Sequence, residues 1–174
     1  MRANALICLI TGGRHKPSIW RGLLAGIAGG VAGSVAISQF HALAGKWVKN
    51  SQPKQQGEDP TVKAASAVSE TVLDRPLEPN EKKPASQAVH YAFGTSVGAA
   101  YGALAEWKPS VARAAGAPFG AAVWVGAHEV TVPALGWSHP PTKEPLPMHA
   151  LELASHVVYG VTVESVRRLV RRVL

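Results

Sequence analysis

The sequence is poor in cysteine, in aromatic residues and in charge. Its one cysteine, Cys8, excludes an internal disulfide and a cysteine-rich zinc site. Of the 174 residues only 6% are aromatic and 17% are charged, whereas 47% are hydrophobic. This composition excludes a coiled coil, a disulfide scaffold and a fully disordered chain. It fits either a single soluble domain or a small membrane protein with polar ends.

Motifs for nucleotide binding and nucleophilic catalysis are also missing. No G-x-G-x-x-G follows a predicted strand, and the sequence has neither a Walker motif nor a serine nucleophile elbow. The net charge of +7 comes largely from two acid-free ends, residues 1–22 and residues 165–174. No aromatic platform accompanies these basic residues, so we do not expect a nucleic-acid partner. Basic ends beside apolar segments are typical of membrane proteins.

Four apolar segments predict an all-α fold, a bundle of four transmembrane helices in the lipid bilayer. The first, 20–44, has Arg21 as its only charged residue and exceeds the ~20 residues that cross ~30 Å of hydrocarbon. The others are 87–107, 112–132 and 147–167. The last carries several ionisable residues and is predicted from helical periodicity more than from hydropathy. We expect negligible strand content.

The rest of the chain is predicted to be a tail and a long first loop. Residues 1–19 form a basic N-terminal tail, and the four-helix membrane domain occupies 20–174. Within loop 45–85, residues 60–73 predict a short amphipathic helix after the possible cap Asp59. The short flanks rich in arginine and lysine predict that both termini face the cytoplasm.

Glycines recur at four-residue spacing along the first three predicted helices, a pattern typical of glycine zippers. They are Gly22, Gly26 and Gly30 in the first helix, Gly94, Gly98 and Gly102 in the second, and Gly116 and Gly120 in the third. Small residues at this spacing let helix backbones approach closely in lipid. Packing within the bundle is the favoured interpretation. A homo-oligomer or a membrane-protein partner bound through these stripes stays open.

Alternating helix direction should bring histidines and glutamates to one level near the non-cytoplasmic side. The fourth helix carries His149, Glu152, His156 and Tyr159 at spacings that keep them on one face. Ionisable groups should face the bundle interior, because lipid-facing ones are costly. We expect one pocket to hold four residues, His90, His128, Glu152 and His156. The remaining members, expected around that pocket, are His41, Glu129, His149 and Tyr159.

Three uses of this polar cluster stay open: a packed network or proton relay, a metal or haem site, and a ligand or partner site. Glu152 and His156 lie one turn apart, as a metal-binding pair requires. No spacing is as diagnostic as H-E-x-x-H, so the interpretation leans towards the relay or packed network. The sequence requires no cofactor, leaves any metal unknown and assigns no catalytic residue.

A second charged group is predicted near the cytoplasmic side. Its members are Arg21, Glu106, Arg113, Glu164 and Arg167. Opposite charges at one depth can pair and fix the position of the helices. We therefore interpret this charge layer as structural rather than catalytic.

Two segments, HEVTVPALGWSHPP from His128 and MHALELASHVVYGVTVESVRRLVRR from Met148, resemble the YagU-like family of bacterial inner-membrane proteins. The matching positions are His128, Pro133, Leu135, Gly136, Pro140, Pro141, Glu152, His156, Glu164, Arg167 and Arg168. The match covers about a quarter of the chain, with weaker similarity through 90–106, and the first loop does not match. The resemblance implies a multi-pass inner-membrane protein whose biochemistry is not established, and it implies no catalytic residue.

Two classes of function stay open. In the first, a small membrane protein uses its polar cluster to handle protons, a metal or a small polar ligand. In the second, the protein is a non-catalytic structural or accessory subunit of a larger membrane assembly, and the cluster only locks the fold. A soluble basic protein is disfavoured, because the first segment is too long and too apolar.

Overall fold

The computed structural model describes residues 16–48, 58–138, 140–143 and 145–174. Within these ranges the chain is all-helical and contains no strand, which confirms the all-α class. The five longest α-helices there are α1 (Ile19–Val48), α2 (Pro60–Val68), α3 (Pro79–Trp107), α4 (Ala117–Trp124) and α5 (Leu146–Val173). Most of the predicted N-terminal tail lies outside the described residues.

The two longest helix interfaces join α1 to α3 and α1 to α5, while α4 packs on α5 and α2 packs on α3. Glycines set the separation between α1 and α3. A Cβ added at Gly98 would lie 2.6 Å from the Cα of Gly30, so no larger residue fits without a backbone shift. The same restriction holds between α4 and α5, where a Cβ at Gly160 would lie 2.6 Å from the nitrogen of Gly120. These contacts hold the helix axes close together.

The order of these contacts shows that α1 is antiparallel to both α3 and α5, and that α4 is antiparallel to α5. Along α1, Gly29 faces Val163 and Gly33 faces Tyr159 of α5. Buried aromatic side chains fill the space beside this interface: the ring of Phe119 stacks on Tyr101 with centroids 4.0 Å apart. Tyr101, Tyr159, Val163 and Ile37 form the buried hydrophobic cluster of the described residues.

Two helices begin at positions that differ from the prediction. The second predicted span starts at 87, but α3 begins at Pro79, because Glu78 and Glu81 form a capping box and Pro79 takes the first helical position. The third predicted span starts at 112, but α4 begins at Ala117. Residues 109–116 instead form two short 3₁₀ turns, and Gly116 has a positive φ of 85°.

The helix that begins as α4 changes its winding halfway. Beyond Trp124 it continues as a π-helical segment, Val125–Thr131, and closes with one α-helical turn, Val132–Ala134. A π-helical segment changes the angular position of the side chains that it carries, and such segments are frequent at functional sites. His128 and Glu129 both lie in this segment.

The described part of the first loop contains α2. Asp59 caps this helix, and its Oδ1 accepts a hydrogen bond of 2.8 Å from the backbone nitrogen of Thr61. Between α2 and α3, Arg75 donates two hydrogen bonds, of 2.7 and 2.8 Å, to the carboxylate of Glu81. The Arg75 guanidinium lowers the pKa of Glu81 to about 2.

One helix in the described ranges, Ile19–Ala44 of α1, is long and apolar enough to cross a membrane. The other three predicted spans do not reach this apolarity in the described residues. The π-helical segment interrupts α4, and α5 carries His149, Glu152, His156 and Glu164 along its length. The fold therefore supports an all-helical bundle with one candidate membrane span.

Candidate metal site and its cavity

A cavity of about 1010 Å³ lies among α1, α3, α4 and α5, at the end of the bundle where α2 packs. All eight residues of the predicted polar cluster line it: His41, His90, His128, Glu129, His149, Glu152, His156 and Tyr159. A His/Glu cluster is thus present in the described structure. Its members divide into a compact group of possible ligands, a separate ion pair, and residues deeper in the cavity.

Three residues form the compact group: His128 from the π-helical segment and Glu152 and His156 from α5. One ligand atom from each of the three lies within 4.8 Å of the other two. His128 Nε2 is 3.9 Å from Glu152 Oε2, and the rings of His128 and His156 meet edge to face with centroids 5.0 Å apart. Two imidazoles and a carboxylate are a common donor set for Zn²⁺.

Backbone contacts orient the ring of His156. Its Nδ1 lies 2.8 Å from the carbonyl oxygen of Glu152, one turn earlier on α5. A carbonyl can only accept, so Nδ1 carries the proton in this contact and Nε2 keeps its lone pair. Metal-binding histidines commonly donate their second ring nitrogen to a backbone carbonyl in this way. His156 is also buried, with 7% of its surface exposed, so the surrounding side chains restrict the position of its ring.

A third helix brings His41 to the same carboxylate. His41 Nε2 lies 3.6 Å from Glu152 Oε2, so Glu152 is approached by imidazoles from α1 and from the π-helical segment. The arrangement can therefore supply two imidazoles and one carboxylate to a single ion, with His41 beside that carboxylate.

His149 belongs to a different pair. Its Nδ1 lies 3.0 Å from Glu129 Oε1, and its Nε2 lies 2.9 Å from the carbonyl oxygen of Pro141. Both ring nitrogens thus have protein partners. The His149–Glu129 pair therefore connects the start of α5 to the π-helical segment.

Deeper in the cavity, Tyr159 has a packing role. Its hydroxyl donates a hydrogen bond of 2.6 Å to the carbonyl oxygen of Gly94, and its ring packs on Gly33. Beside it, Ser34 Oγ and His90 Nε2 make no hydrogen bond of normal geometry within the described residues, nor does Trp124 Nε1 nearer the mouth.

The opposite end of the bundle holds the predicted charge layer. Glu164 is 1% exposed and accepts hydrogen bonds from Arg167, at 2.7 and 3.0 Å, and from the hydroxyl of Tyr101, at 3.0 Å. Glu106 accepts hydrogen bonds of 2.6 and 2.9 Å from Arg171 and lies 3.7 Å from Arg167. The layer therefore joins α3 to α5.

Two predicted members of this layer do not take part. The side chains of Arg21 and Arg113 are exposed, and neither makes an ion pair with another described residue. Arg21 lies on the outer face of α1, and Arg113 lies in the 3₁₀ link before α4. Arg171, which continues the spacing of Glu164 and Arg167 by one more turn, was not predicted as a member of the layer.

The fold and its cavity define a class: a small helical bundle with a histidine- and glutamate-lined cavity at one end and buried ion pairs at the other. A family model described as a protein of unknown function (DUF1440) matches residues 67–165. This match covers more than half of the chain, so the protein belongs to the DUF1440 family, which is uncharacterised. No curated protein and no solved structure matches the chain.

Proposed function

We propose that this is a multi-pass membrane protein that binds a divalent transition-metal ion at His128, Glu152 and His156 and leaves one coordination position open. The observation that carries the proposal is the approach of three ligand atoms, from two helical elements, to within 4.8 Å of one another. Zinc is bound by nitrogen and oxygen ligands at ~2.0–2.2 Å, usually in four-coordinate sites. Small side-chain movements would close the observed separations to that geometry.

A metal accounts for the site better than the other uses of the cluster. Haem held between His128 and His156 would need space for the porphyrin plane, but their ring centroids are only 5.0 Å apart. A purely packed network would not need ligand atoms of His128, Glu152 and His156 to lie within 4.8 Å of one another. The orientation of His156 by the carbonyl oxygen of Glu152 is the arrangement that metal ligands use.

Three features support the membrane location. Helix α1 contains one candidate span, Ile19–Ala44. Large apolar side chains are exposed on the outer faces of α1 and α3, among them Leu24, Val31 and Leu104. Glu164 and Arg167, in contrast, are buried inside the bundle, as expected where lipid surrounds the protein. The inner-membrane location implied by the YagU-like resemblance is part of this proposal.

The metal is tested by titrating the metal-free, detergent-purified protein with Zn²⁺ and Co²⁺ in a calorimeter. We expect one ion per chain, and Co²⁺ absorption bands of a four-coordinate site. Glu152→Gln and His156→Gln should each weaken binding about 100-fold or more, since the loss of an outer contact alone costs 10–100-fold. Glu129→Gln and His149→Gln are matched controls from the same cavity and should retain binding.

Absence of stoichiometric binding, or loss of binding in the controls instead, would overturn the metal site. Extraction of the protein from membranes by alkaline carbonate tests the location: an integral protein stays in the pellet, and release into the supernatant would overturn it. Copurification of a stoichiometric membrane partner, together with no metal binding, would favour the alternative function as an accessory subunit.

A further inference from the structure

Buried polar atoms without partners collect in the same cavity as the proposed metal ligands. The described part of the chain has four such atoms: Ser34 Oγ, His90 Nε2 and Trp124 Nε1 in this cavity, and Arg171 Nη1 at the opposite end of the bundle. Ser34 is 0% exposed, and the first three residues line the cavity. Because buried polar groups are nearly always hydrogen-bonded to protein or to ordered water, three such atoms in one cavity mark a place that water or a polar ligand fills.

The helix contacts place these atoms at two levels. Gly33 faces Tyr159, so Ser34 lies near the level of Tyr159. Gly30 faces Gly94, so His90, one turn before Gly94, lies at the level of Ser34. Gly120 faces His156, so Trp124, one turn further along α4, lies near the level of the proposed metal ligands. An α-helix rises 1.5 Å per residue, so the inner level, that of Ser34 and His90, is roughly 5–10 Å deeper than the proposed metal ligands.

The chemistry of the atoms defines what they can bind. The indole nitrogen of Trp124 only donates, so its partner is an acceptor. A divalent ion with Glu152 as its one acidic ligand leaves a net positive charge, which favours an anion in the remaining coordination position. The cavity is also lined by apolar side chains, including Ile37 and Val123. These suit a short carbon chain.

We infer that the cavity binds a small organic acid with a polar group at each end, such as a dicarboxylate. One carboxylate takes the open coordination position of the metal ion and accepts a hydrogen bond from Trp124 Nε1. The polar group at the other end of the acid forms hydrogen bonds with Ser34 Oγ and His90 Nε2. This inference rests on the proposed metal site. A fatty acid is the less complementary occupant, because its apolar end leaves Ser34 and His90 without partners.

The test compares glutarate with pentanoate, two acids with five carbons of which only glutarate is polar at both ends. Each is titrated into Co²⁺-loaded protein in detergent and followed by calorimetry and by the Co²⁺ absorption bands. We expect glutarate to bind at least about tenfold more tightly and to change the Co²⁺ spectrum. Equal affinity of the two acids, or tighter binding of pentanoate, would overturn the inference.

Three variants locate the two ends of the acid. Ser34→Ala should weaken glutarate about tenfold and leave pentanoate unchanged, whereas Trp124→Phe should weaken both acids. Trp137→Phe, a matched change at another tryptophan that lines the cavity, should weaken neither. Co²⁺ affinity, measured in each variant, reports whether the fold is intact. An equal effect of Ser34→Ala on both acids would contradict the inner position of Ser34.

The two proposals fail in different ways. Failure of the wild-type protein to bind Co²⁺ overturns the metal site and, with it, this inference. Co²⁺ binding with no response to glutarate overturns only the inference and leaves the metal site standing.

Discussion

Neutralising Glu164 should destabilise the bundle more than any other single change of charge. Glu164 is 1% exposed and is held by Arg167, Arg168 and the hydroxyl of Tyr101. The Glu164→Gln substitution keeps the shape of the side chain, but it removes the negative charge that balances the buried Arg167. Breaking a buried ion pair by removing one partner costs about 3–5 kcal/mol. Because Arg167 keeps Glu106 at 3.7 Å, we expect a loss near the lower end, about 3 kcal/mol.

The free energy of unfolding is measured by titrating the detergent-solubilised protein with SDS and following tryptophan fluorescence. Glu70→Gln, a matched change at an exposed glutamate, should alter it by less than about 0.5 kcal/mol. The double variant Glu164→Leu/Arg167→Met should recover part of the loss, since replacing both members of a buried pair leaves no uncompensated charge. A loss below about 1 kcal/mol in Glu164→Gln would refute the reasoning.

Three further predictions concern packing, titration and topology. Gly160→Ala should cost about 1–3 kcal/mol in the same unfolding assay, because its Cβ would lie 2.6 Å from the nitrogen of Gly120. Gly126→Ala, where nothing lies within 4 Å, should not destabilise, and equal losses in the two variants would contradict the packing. The pKa of Glu81 is lowered from 4.5 to about 2, so its pairing stabilises the loop fully above pH ~4.5 and is lost as the pH falls through about 2. NMR titration of its carboxyl should show this, and Arg75→Gln should return the pKa towards 4.5, whereas a wild-type pKa above 4 would exclude the pair. A reporter fused after Leu174 should be active only in the cytoplasm, and periplasmic activity would contradict the proposed topology.

Helical periodicity predicted much of the fold because it depends on local spacing alone. The long helices α1, α3 and α5 lie where the apolar segments are, and α5 places Glu152 and His156 towards the cavity, as its spacing predicts. The same reasoning missed Arg171 for a simple reason. The predicted span ended at 167, but the helix continues to Val173 and carries this arginine to Glu106.

The level of a side chain along the bundle was harder to predict than the helix face on which it lies, because the level depends on where each helix begins. His90 was expected at the level of the other histidines, near the start of its helix. The capping box at Glu78 starts α3 earlier, so His90 lies several turns inside the helix and at the level of Ser34. Similarly, Arg113 was placed in a helix that begins only at Ala117, and its side chain is exposed outside the bundle.

The position of the cavity follows from where the glycine contacts stop. Between α1 and α3 the close backbone approach extends as far as Gly30 and Gly94, and between α4 and α5 it extends as far as Gly120. Beyond these points the facing positions carry large side chains, such as His41 and Trp124, which line the cavity. Large residues hold helices further apart than glycines do, so the bundle widens at this end. The stripes of small residues therefore determine which half of the bundle is tightly packed and at what level the cavity begins.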